Sequence, residues 1–418
     1  MIDTVEIEPL TAPPDAAVSV PGSRSISNRA LVCAALARGT SVISGLLRSE
    51  DTEAMLECLT DLGIGWRQLD ETTVEVSGCG GRLPPGPRSL YTRLSGTTSR
   101  FVTAMCALGD GDYTIDAAAP MRTRPMGVLV DALGSLGVEV TSTSGRLPLV
   151  VHAGGLGGGR VDVSGDVSSQ FLSALLLVSP CAAGPLRVEV TGELKSRPYV
   201  QMTRSVMAAF GAEAEVPKGY RATEYSVEPD ASTACYFWAA AAICGGRVRV
   251  EGLGPTSLQG DVGFVDVLER MGCVVDREER AITVRGPSRL GATEVDLADI
   301  SDQAPTFAVV AGFAEGRSRA RGIGFIRRKE SDRIAAVVEG LGRIGVTASE
   351  EPDGFLVEGK PDGNGTHGGS IRTFDDHRIA MSFALAGLRR SGVRIEDPGC
   401  VAKTFPGFFE ALDQMRAP

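Results

Sequence analysis

The residues best suited to chemistry in this sequence are arginines and lysines that return at matching places along an acidic chain. The formal net charge is −10, yet basic residues gather in short polar segments such as RRKESDR at 327–333. One such run would ordinarily be a solvated surface, but recurrence favours a shared binding role. Guanidinium and ammonium groups bind small, multiply charged anions such as phosphates and carboxylates. The cations in these segments are Arg24, Arg29, Arg100, Arg122, Arg124, Lys195, Arg197, Arg327, Arg328, Lys329, Arg333, Arg378 and Lys403.

The elements that carry these cations belong to a repeat with six copies. In each copy a polar segment opens a helical stretch of small apolar residues, and then a Gly and a β-rich run follow. The openings, spaced by roughly 70 residues, read SRSISNR, LSGTTSR, DVSSQFL, DASTACY, SDQAPTF and DDHRIAM. Five copies, all but the last, continue with a second amphipathic helix, as in MGVLVDALGSLGVEV. Strands such as RVRVEG alternate apolar and polar residues, so the sequence predicts an α/β fold.

The number of repeats predicts the domain organisation. A period of about 70 residues is too long for the common solenoids, which repeat every 20 to 50 residues or so. The chain of 418 residues also exceeds one ordinary hydrophobic core, so we expect two domains of three repeats each. The extended segment from Lys218 to Asp230 is a candidate crossover, and the short strand before Pro21 could pair with either half.

The first helix of each repeat begins with a polar residue that could cap it. Six ordinary caps would be the plain interpretation, but related repeats would point their helix starts, and the positive ends of the helix dipoles, toward one region. We therefore expect an anion site at the helix starts. The candidate caps are Ser25 or Ser27, Ser95, Ser168, Asp230, Ser301, and Asp375 or Asp376.

The charge and the glycine patterns argue against nucleotide and nucleic-acid binding. An acidic chain with a pI near 5.1 lacks the basic face that nucleic acid requires. No GxxxxGK[ST] is present, and no GxGxxG follows a strand. The glycine cluster at 154–159 precedes the strand RVDVSG and opens no helix, so we interpret it as a turn.

Cysteine and histidine usage predicts reduced thiols and no metal site. Nine cysteines occur without a CxxC pair, and the three histidines are not spaced as ligand pairs. The N-terminus MIDTVEIEPL is acidic and has no apolar h-region, and no apolar stretch reaches the length of a bilayer span. We therefore expect a cytoplasmic protein that binds no membrane.

Nine segments carry a family resemblance. They read GSRSISNRALV, SGTTSR, MRTRPM, GDVSSQFLSALLL, LKSRPY, SDQAP, RRKESDR, DDHRIAM and AKTFP, in this order over nearly the whole chain. With these motifs the sequence resembles the 5-enolpyruvylshikimate-3-phosphate synthases, a branch of the enolpyruvyl transferases. It is more distantly similar to the UDP-N-acetylglucosamine enolpyruvyl transferases, but the reactive Cys of that branch is missing from AAAPMRTRP.

The resemblance implies an architecture and a reaction. The fold would have two domains, each built from three βαβαββ units about a pseudo-threefold axis, with the active site in the cleft between them. The domains would be residues 21–227, and residues 1–20 joined with 228–418. The reaction would transfer the enolpyruvyl group of phosphoenolpyruvate to the 5-hydroxyl of shikimate-3-phosphate through a tetrahedral intermediate, releasing phosphate. It belongs to the shikimate pathway of aromatic amino-acid biosynthesis. We expect a monomer that needs no cofactor and no metal.

The resemblance also implies the residues that bind the acceptor, shikimate-3-phosphate. Its carboxylate would meet Ser25 and Arg29 with Tyr199 nearby, and its hydroxyls would meet Asp302. The residues implied for its phosphate are Ser168, Ser169, Ser196 and Lys329.

A second set is implied for phosphoenolpyruvate. Arg333 and Arg378 would clamp its carboxylate, and Asp302 and Glu330 would transfer protons. Arg24 would act on both substrates as a fixed positive charge, because a guanidinium stays protonated at any relevant pH. The residues implied for the phosphate of phosphoenolpyruvate are Gly96, Arg124, Gln170 and Lys403.

The sequence departs from the family pattern at a few positions. Arg24 stands where Lys is usual, Leu94 and Ser95 replace an amide and a small residue, and Phe325 replaces a polar residue. Two alternatives therefore stay open at this point: a paralogue acting on another phosphorylated alcohol, and a catalytically inactive anion-binding protein. Both are disfavoured by the intact set of predicted site residues.

Overall fold

The fold is known from a computed structural model that describes residues 3–165, 168–361 and 367–416. The chain divides into two compact units, Gly22–Glu228, here the middle unit, and Met1–Pro21 with Pro229–Pro418, here the terminal unit. None of the helices in the described ranges is long and apolar enough to cross a membrane.

The terminal unit includes the N-terminal strands β1 (Thr4–Ile7) and β2 (Asp15–Val18). Their sequence pattern alone fitted either half of the chain, and the family resemblance implied this one. The helices of the middle unit are α1 (Arg24–Leu36), α2 (Glu50–Asp61), α3 (Gly96–Cys106), α4 (Ala119–Arg122), α5 (Gly127–Ser135), α6 (Ser169–Val178) and α7 (Arg197–Ala209). Its strands are β3 (Ala37–Ser44), β4 (Trp66–Gln68), β5 (Val74–Cys79), β6 (Arg88–Tyr91), β7 (Asp110–Asp116), β8 (Glu139–Ser142), β9 (Leu149–Gly154), β10 (Gly159–Ser164), β11 (Leu186–Thr191), β12 (Tyr220–Arg221) and β13 (Glu224–Ser226).

The terminal unit continues after Glu228 with the same alternation. Its helices are α8 (Ala231–Cys244), α9 (Phe264–Arg270), α10 (Ala304–Gly312), α11 (Arg333–Arg343), α12 (His377–Gly387) and α13 (Phe408–Asp413). Its further strands are β14 (Arg247–Glu251), β15 (Val274–Glu278), β16 (Ala281–Arg285), β17 (Leu290–Gly291), β18 (Glu294–Asp296), β19 (Ala314–Arg321), β20 (Thr347–Glu351), β21 (Gly354–Gly359), β22 (Ser370–Ile371) and β23 (Val393–Glu396). Short 3-10 turns at Gly260–Gly263, Ala298–Gln303, Gly324–Arg328 and Pro398–Lys403 link these elements.

Each repeat folds its strands into a small sheet beside its helices. In the middle unit the sheets have the orders β12-β3-β5-β4 with β13 beside β3, β6-β7-β9-β8, and β10-β11. In the terminal unit the orders are β15-β16-β14-β2, β17-β19-β21-β20 with β18 beside β19, and β1-β23-β22. The α/β fold class predicted from the sequence is confirmed. The segment from Lys218 to Asp230, predicted as a candidate crossover, supplies β12 and β13, which pair in parallel with β3, and the boundary between the two units follows Glu228 within it.

The first helix of each repeat lies in the core, and the second is more superficial. In the terminal unit α8, α10 and α12 pack against one another, and in the middle unit α1, α3 and α6 do the same. Nearly every residue of these helices is buried, which suits their content of Ala, Cys, Ser and Gly, since small side chains let helices approach closely. The second helix α11 buries Ile334, Val337 and Leu341 on one face.

The caps at the starts of the first helices match four of the six expectations. Ser95, Ser168, Asp230 and Asp376 each accept a hydrogen bond from a backbone N–H in the first turn of the helix that follows. The two other expectations are wrong. Helix α1 already begins at Arg24, so Ser25 and Ser27 lie inside it, and Ser301 lies within a 3-10 turn that extends to Gln303 ahead of α10.

Candidate active site

The start of α3 in the middle unit is a positively charged cradle. A Cβ atom placed on Gly96 would lie 2.5 Å from Arg100 Nη1 and 2.9 Å from Arg124 Nη1, so two guanidinium groups crowd this glycine. Arg100 Nη1 donates to Gly96 O at 2.9 Å and to Gln170 Oε1 at 2.7 Å. Gln170 Nε2 in turn donates to Thr97 Oγ1 at 3.2 Å. Together with the positive end of the helix dipole, these groups make a site for an anion.

Arg24 lies at the start of α1, paired with an acidic residue that the sequence analysis did not single out. Its Nη1 donates to Asp51 Oδ2 at 2.9 Å, and the Asp51 side chain is 4% exposed. Asp51 also accepts a hydrogen bond through its backbone oxygen from Thr98 Oγ1, at 3.1 Å. The starts of α1, α2 and α3 are thereby tied together. The acidic first turn of α2 was the only signal of Asp51, and it resembles any ordinary helix start.

Arg29 is buried and joins α1 to α6 and α7. Nε donates to Thr203 Oγ1 at 2.7 Å, Nη1 to Ser25 O at 2.8 Å, and Nη2 to both Ser173 Oγ and Tyr199 O at 3.3 Å. Burial lowers the pKa of Arg29 to about 10, which still leaves it protonated at neutral pH. A guanidinium carries five or so N–H donors. These bonds use four of them within the described residues, so Arg29 can both hold the helices and offer one bond to a ligand.

The three serines predicted to bind phosphate lie at the starts of α6 and α7. Ser168 caps α6, accepting from Gln170 N at 3.3 Å, and Ser169 is the first residue of that helix. Ser196 precedes α7 with a φ of 55°, which is uncommon for a serine. Helices α6 and α7 pack against each other, and the ring of Tyr199 lies 6.0 Å from the Arg29 guanidinium. Asp166 and Val167, part of the same motif, lie outside the described residues.

The terminal unit collects carboxylates and cations around Arg333, whose side chain is 2% exposed. Arg333 donates from Nε to Asp376 Oδ2 at 2.9 Å, from Nη1 to Asp302 Oδ1 at 3.1 Å, and from Nη2 to Glu330 Oε2 at 2.9 Å. Burial alone would lower the pKa of Arg333, but the negative charges of Asp376, Glu330 and Asp302 outweigh it and raise that pKa above its ordinary value.

Two more predicted cations complete this cluster. Arg378 Nη2 donates to Asp302 Oδ2 at 2.6 Å, and Lys403 Nζ donates to Glu330 Oε1 at 2.8 Å. The structure thus brings together five of the six site residues that the resemblance implied in this unit, namely Asp302, Glu330, Arg333, Arg378 and Lys403. The sixth is Lys329. Asp376 is the member that sequence reasoning did not assign. Its position beside Arg378 in the DDHR motif was a signal, but the sequence offered it only as a helix cap.

Lys329 follows the 3-10 turn Gly324–Arg328, and its ammonium lies 5.8 Å from the centre of the Phe325 ring. Both side chains are partly exposed. A cation over an aromatic face is stabilised by about 0.5 to 1 kcal/mol at such sites. Phe325, noted as a departure from the family pattern, therefore lies against a predicted ligand of the acceptor phosphate.

The fold is α/β, and these groups gather cations and carboxylates in the way expected of a site for small anions. A model of the family EPSP synthase (3-phosphoshikimate 1-carboxyvinyltransferase) matches residues 11–412. The 3-phosphoshikimate 1-carboxyvinyltransferase of Nostoc punctiforme is 43% identical over 427 residues, covering 99% of this chain and 99% of its own. That of Ralstonia nicotianae is 44% identical over 425 residues, covering 96% and 97%. Among solved structures, EPSP synthase from Acinetobacter baumannii has a TM-score of 0.85 at 28% identity, covering 99% of this chain and 98% of that one.

The chain belongs to the EPSP synthase family, in which EPSP stands for 5-enolpyruvylshikimate-3-phosphate. It is therefore an enzyme, a transferase of the shikimate pathway, and the family resemblance predicted from the nine motifs is confirmed.

Proposed function

We propose that this enzyme transfers the enolpyruvyl group of phosphoenolpyruvate to the 5-hydroxyl of shikimate-3-phosphate and releases phosphate. The observation that carries the proposal is the pair of carboxylates, Asp302 and Glu330, held by Arg333, Arg378 and Lys403. A transfer of this kind needs an acid, a base and several cations in one place.

The proposed reaction has a proton-transfer role for each of the two carboxylates, Asp302 and Glu330. Protonation of phosphoenolpyruvate at C3 leaves cationic character at C2, which the acceptor oxygen attacks as it loses its proton. The tetrahedral intermediate then loses the C3 proton and expels phosphate, so the enol ether forms again. We assign the exchange at C3 to Glu330 and the hydroxyl proton to Asp302, because a positioned carboxyl group can serve as acid in one step and as base in the next.

The cations of the terminal unit would bind the carboxylate of phosphoenolpyruvate by exchange. Arg333 and Arg378 are already paired with the carboxylate oxygens of Asp302, so a substrate carboxylate can replace one negative charge by another without leaving a buried cation alone. Glu330 is 15% exposed and bound to Lys403, which suits a group that must reach a substrate atom.

The middle unit would supply the remaining contacts. The cradle at Gly96, with Arg124 and Gln170, has the donors that a phosphate of phosphoenolpyruvate requires, and Lys403 would add a further cation. Arg24 would act as a fixed charge toward phosphoenolpyruvate and the attacking oxygen, since Asp51 restrains its guanidinium.

The acceptor would be recognised by hydroxyl groups and cations. Ser25 and Arg29 with Tyr199 would take its carboxylate, and Asp302 its hydroxyls. Hydroxyl groups at the start of a helix are suited to binding phosphate, because the free backbone N–H groups of the first turn also point toward the bound anion. The residues proposed for its phosphate are Ser168, Ser169, Ser196 and Lys329.

The proposed reaction requires groups from both domains, residues 21–227, and residues 1–20 with 228–418. The scheme uses no metal or cofactor. We further propose a cytoplasmic monomer. Free thiols at all nine cysteines suit a reducing compartment. The large apolar side chains exposed within the described residues are separated in the sequence: Leu69, Tyr91, Val190 and Val274. Sedimentation would test the proposal of a monomer.

The test is phosphate release from phosphoenolpyruvate with shikimate-3-phosphate, with shikimate, or with no acceptor. We expect turnover that depends on shikimate-3-phosphate. Ser169→Ala should raise the KM for shikimate-3-phosphate, whereas Ser135→Ala, at the exposed end of α5, should leave it unchanged. Equal turnover with unphosphorylated shikimate would contradict the assigned phosphate site.

A further inference from the structure

Asp261 is a buried carboxyl group that has no role in the proposed reaction. It lies in the 3-10 turn Gly260–Gly263 and is 4% exposed. Its Oδ2 accepts a hydrogen bond from Gln303 Nε2 at 2.9 Å and another from Ser232 Oγ. Both donors are uncharged. A buried carboxylate without a hydrogen-bonded cation is costly, so this position calls for an explanation beyond packing.

The partners of Asp261 connect it to Asp302. Gln303 follows Asp302 directly in the turn Ala298–Gln303, and Ser232 lies in the first turn of α8. Gln259, two residues earlier, accepts from Ala231 N at 2.9 Å and donates to Pro229 O at 2.6 Å. The short segment 259–261 therefore fastens the turn that carries Asp302 to the start of α8.

The charged groups around Asp261 make it sensitive to the cluster at Arg333. Burial raises the pKa of Asp261 most, Asp302 raises it further, and Arg378 lowers it. The result is a pKa of about 6. From α8, Cys235 donates its Sγ to Asp261 O at 3.3 Å, and burial raises the pKa of this thiol, so it is neutral at physiological pH.

The other charged groups on the neighbouring elements include Asp299 in the turn of Asp302 and Arg270 on α9, both of which are exposed. Tyr236 of α8 is buried with a raised pKa and carries no charge, and Asp230 caps that helix by accepting from Thr233 N. On α9, Asp266 and Glu269 are exposed and pair with Arg277. The charges that act on Asp261 are therefore those of Asp302 and its partner Arg378.

We propose that Asp261 is a positioning residue for Asp302: it holds the turn in place through Gln303, and its own charge governs how easily Asp302 becomes ionised. This inference rests on the proposed role of Asp302 as the base for the acceptor hydroxyl. When an anionic ligand engages Arg378, the positive charge near Asp261 is offset. Asp261 then binds a proton from solvent more readily, and the negative charge facing Asp302 falls.

The test compares Asp261→Asn with Asp266→Asn across the pH range of activity. Both variants lose one carboxylate and keep its shape, but only the first change faces Asp302. In Asp261→Asn we expect the acidic limb of kcat to move to lower pH by at least about half a unit, because a neighbouring negative charge is gone. The KM for shikimate-3-phosphate should stay the same, and Asp266→Asn should overlay the wild type. A uniform loss of kcat with an unmoved limb would overturn the proposal, since that is the pattern of a purely structural role.

A second measurement does not depend on catalysis, and so separates this inference from the proposed function. A folded-state pKa of about 6 lies above the ordinary value of 3.8, so the stability that the bound proton gives to the folded protein is lost as the pH rises between these values. Relative to wild type, Asp261→Asn should therefore gain at least about tenfold in folding equilibrium constant at pH 7.5 compared with pH 4. If the ratio of the folding equilibrium constants of Asp261→Asn and wild type were the same at pH 4 and pH 7.5, the raised pKa of Asp261 would be refuted.

If Asp261→Asn does not fold, Ser232→Ala provides the same test in weaker form. This substitution removes a hydrogen-bond donor that favours the ionised form of Asp261, so Asp261 carries less negative charge beside Asp302. The acidic limb of kcat should therefore again move to lower pH, but by less than in Asp261→Asn. An unmoved limb in Ser232→Ala, with the fold intact, would contradict the proposal.

Discussion

Asp376 offers the sharpest test of how the terminal unit holds its charges. It is fully buried and accepts from Arg333 Nε at 2.9 Å, from Ser331 Oγ at 2.9 Å and from Arg378 N at 3.0 Å. Asp376→Asn keeps an oxygen for the helix cap but removes the charge that faces Arg333. Breaking a buried ion pair by removing one partner costs about 3 to 5 kcal/mol. Arg333 keeps Asp302 and Glu330, so we expect about 3 kcal/mol.

A matched control separates the charge from the cap. Asp332 caps α11, accepting from Ala335 N at 3.1 Å, but its ion pair with Arg327 is partly exposed. Asp332→Asn should therefore cost about 0 to 1 kcal/mol. Asp376→Ala should cost about 1 kcal/mol more than Asp376→Asn, because it also removes the cap.

Tryptophan fluorescence can follow the urea unfolding of the terminal unit, which contains Asp376. The chain has two tryptophans, Trp66 in the middle unit and the fully buried Trp238 in the terminal unit. In a Trp66→Phe background the fluorescence therefore reports on the unit that contains Asp376. With a slope of about 3 kcal/mol per molar urea, a loss of about 3 kcal/mol moves the midpoint by about 1 M. Equal midpoints for Asp376→Asn and Asp332→Asn would refute the reasoning.

Three further predictions concern catalysis. Glu330→Gln should lower kcat by at least about two orders of magnitude while calorimetric binding of shikimate-3-phosphate stays intact, and near-normal turnover would exclude it as acid or base. Arg24→Lys should retain substantial activity in steady-state assays, whereas Arg24→Ala should lose much of it. A wild-type KM for phosphoenolpyruvate in Arg24→Ala would place this residue outside the site. Gly96→Ala should raise that KM by about tenfold, because the new methyl group would displace the Arg100 guanidinium. Gly134→Ala, whose added Cβ meets nothing within 4 Å, serves as the control and should leave that KM unchanged.

Local pattern was sufficient to predict the repeats and most helix starts. Ser95, Ser168, Asp230 and Asp376 were predicted as caps because a capping side chain and its N–H partner are close in sequence. The cap at α1 was predicted wrongly because several candidate capping residues lie close together in the sequence. Three serines occur close together in GSRSIS, and backbone geometry, which the sequence does not show, starts the helix at Arg24.

The charges of the candidate site were predictable only in part. Recurrent cations in an acidic chain indicated anion binding, and the family motifs pointed to Asp302 and Glu330. Which carboxylate meets which cation could not be predicted, because Asp302 reaches Arg333 and Arg378 across 31 and 76 positions of chain. Asp51 and Asp261 were missed since each looks like an ordinary acidic residue in a helix or turn, and only burial beside distant partners distinguishes them.

The sequence by itself determined the α/β alternation, the six repeats and the types of residue that open them, because these depend on spacing along a few turns or strands. The family resemblance implied only that the N-terminal strands join residues 228–418, and the tertiary structure decided their partners: β1 pairs with β23 and β2 with β14. A strand of four residues alternates in the same way whichever edge it joins. Its partner is chosen by which distant edge leaves backbone N–H and C=O groups to be paired, and that depends on how the whole unit is packed.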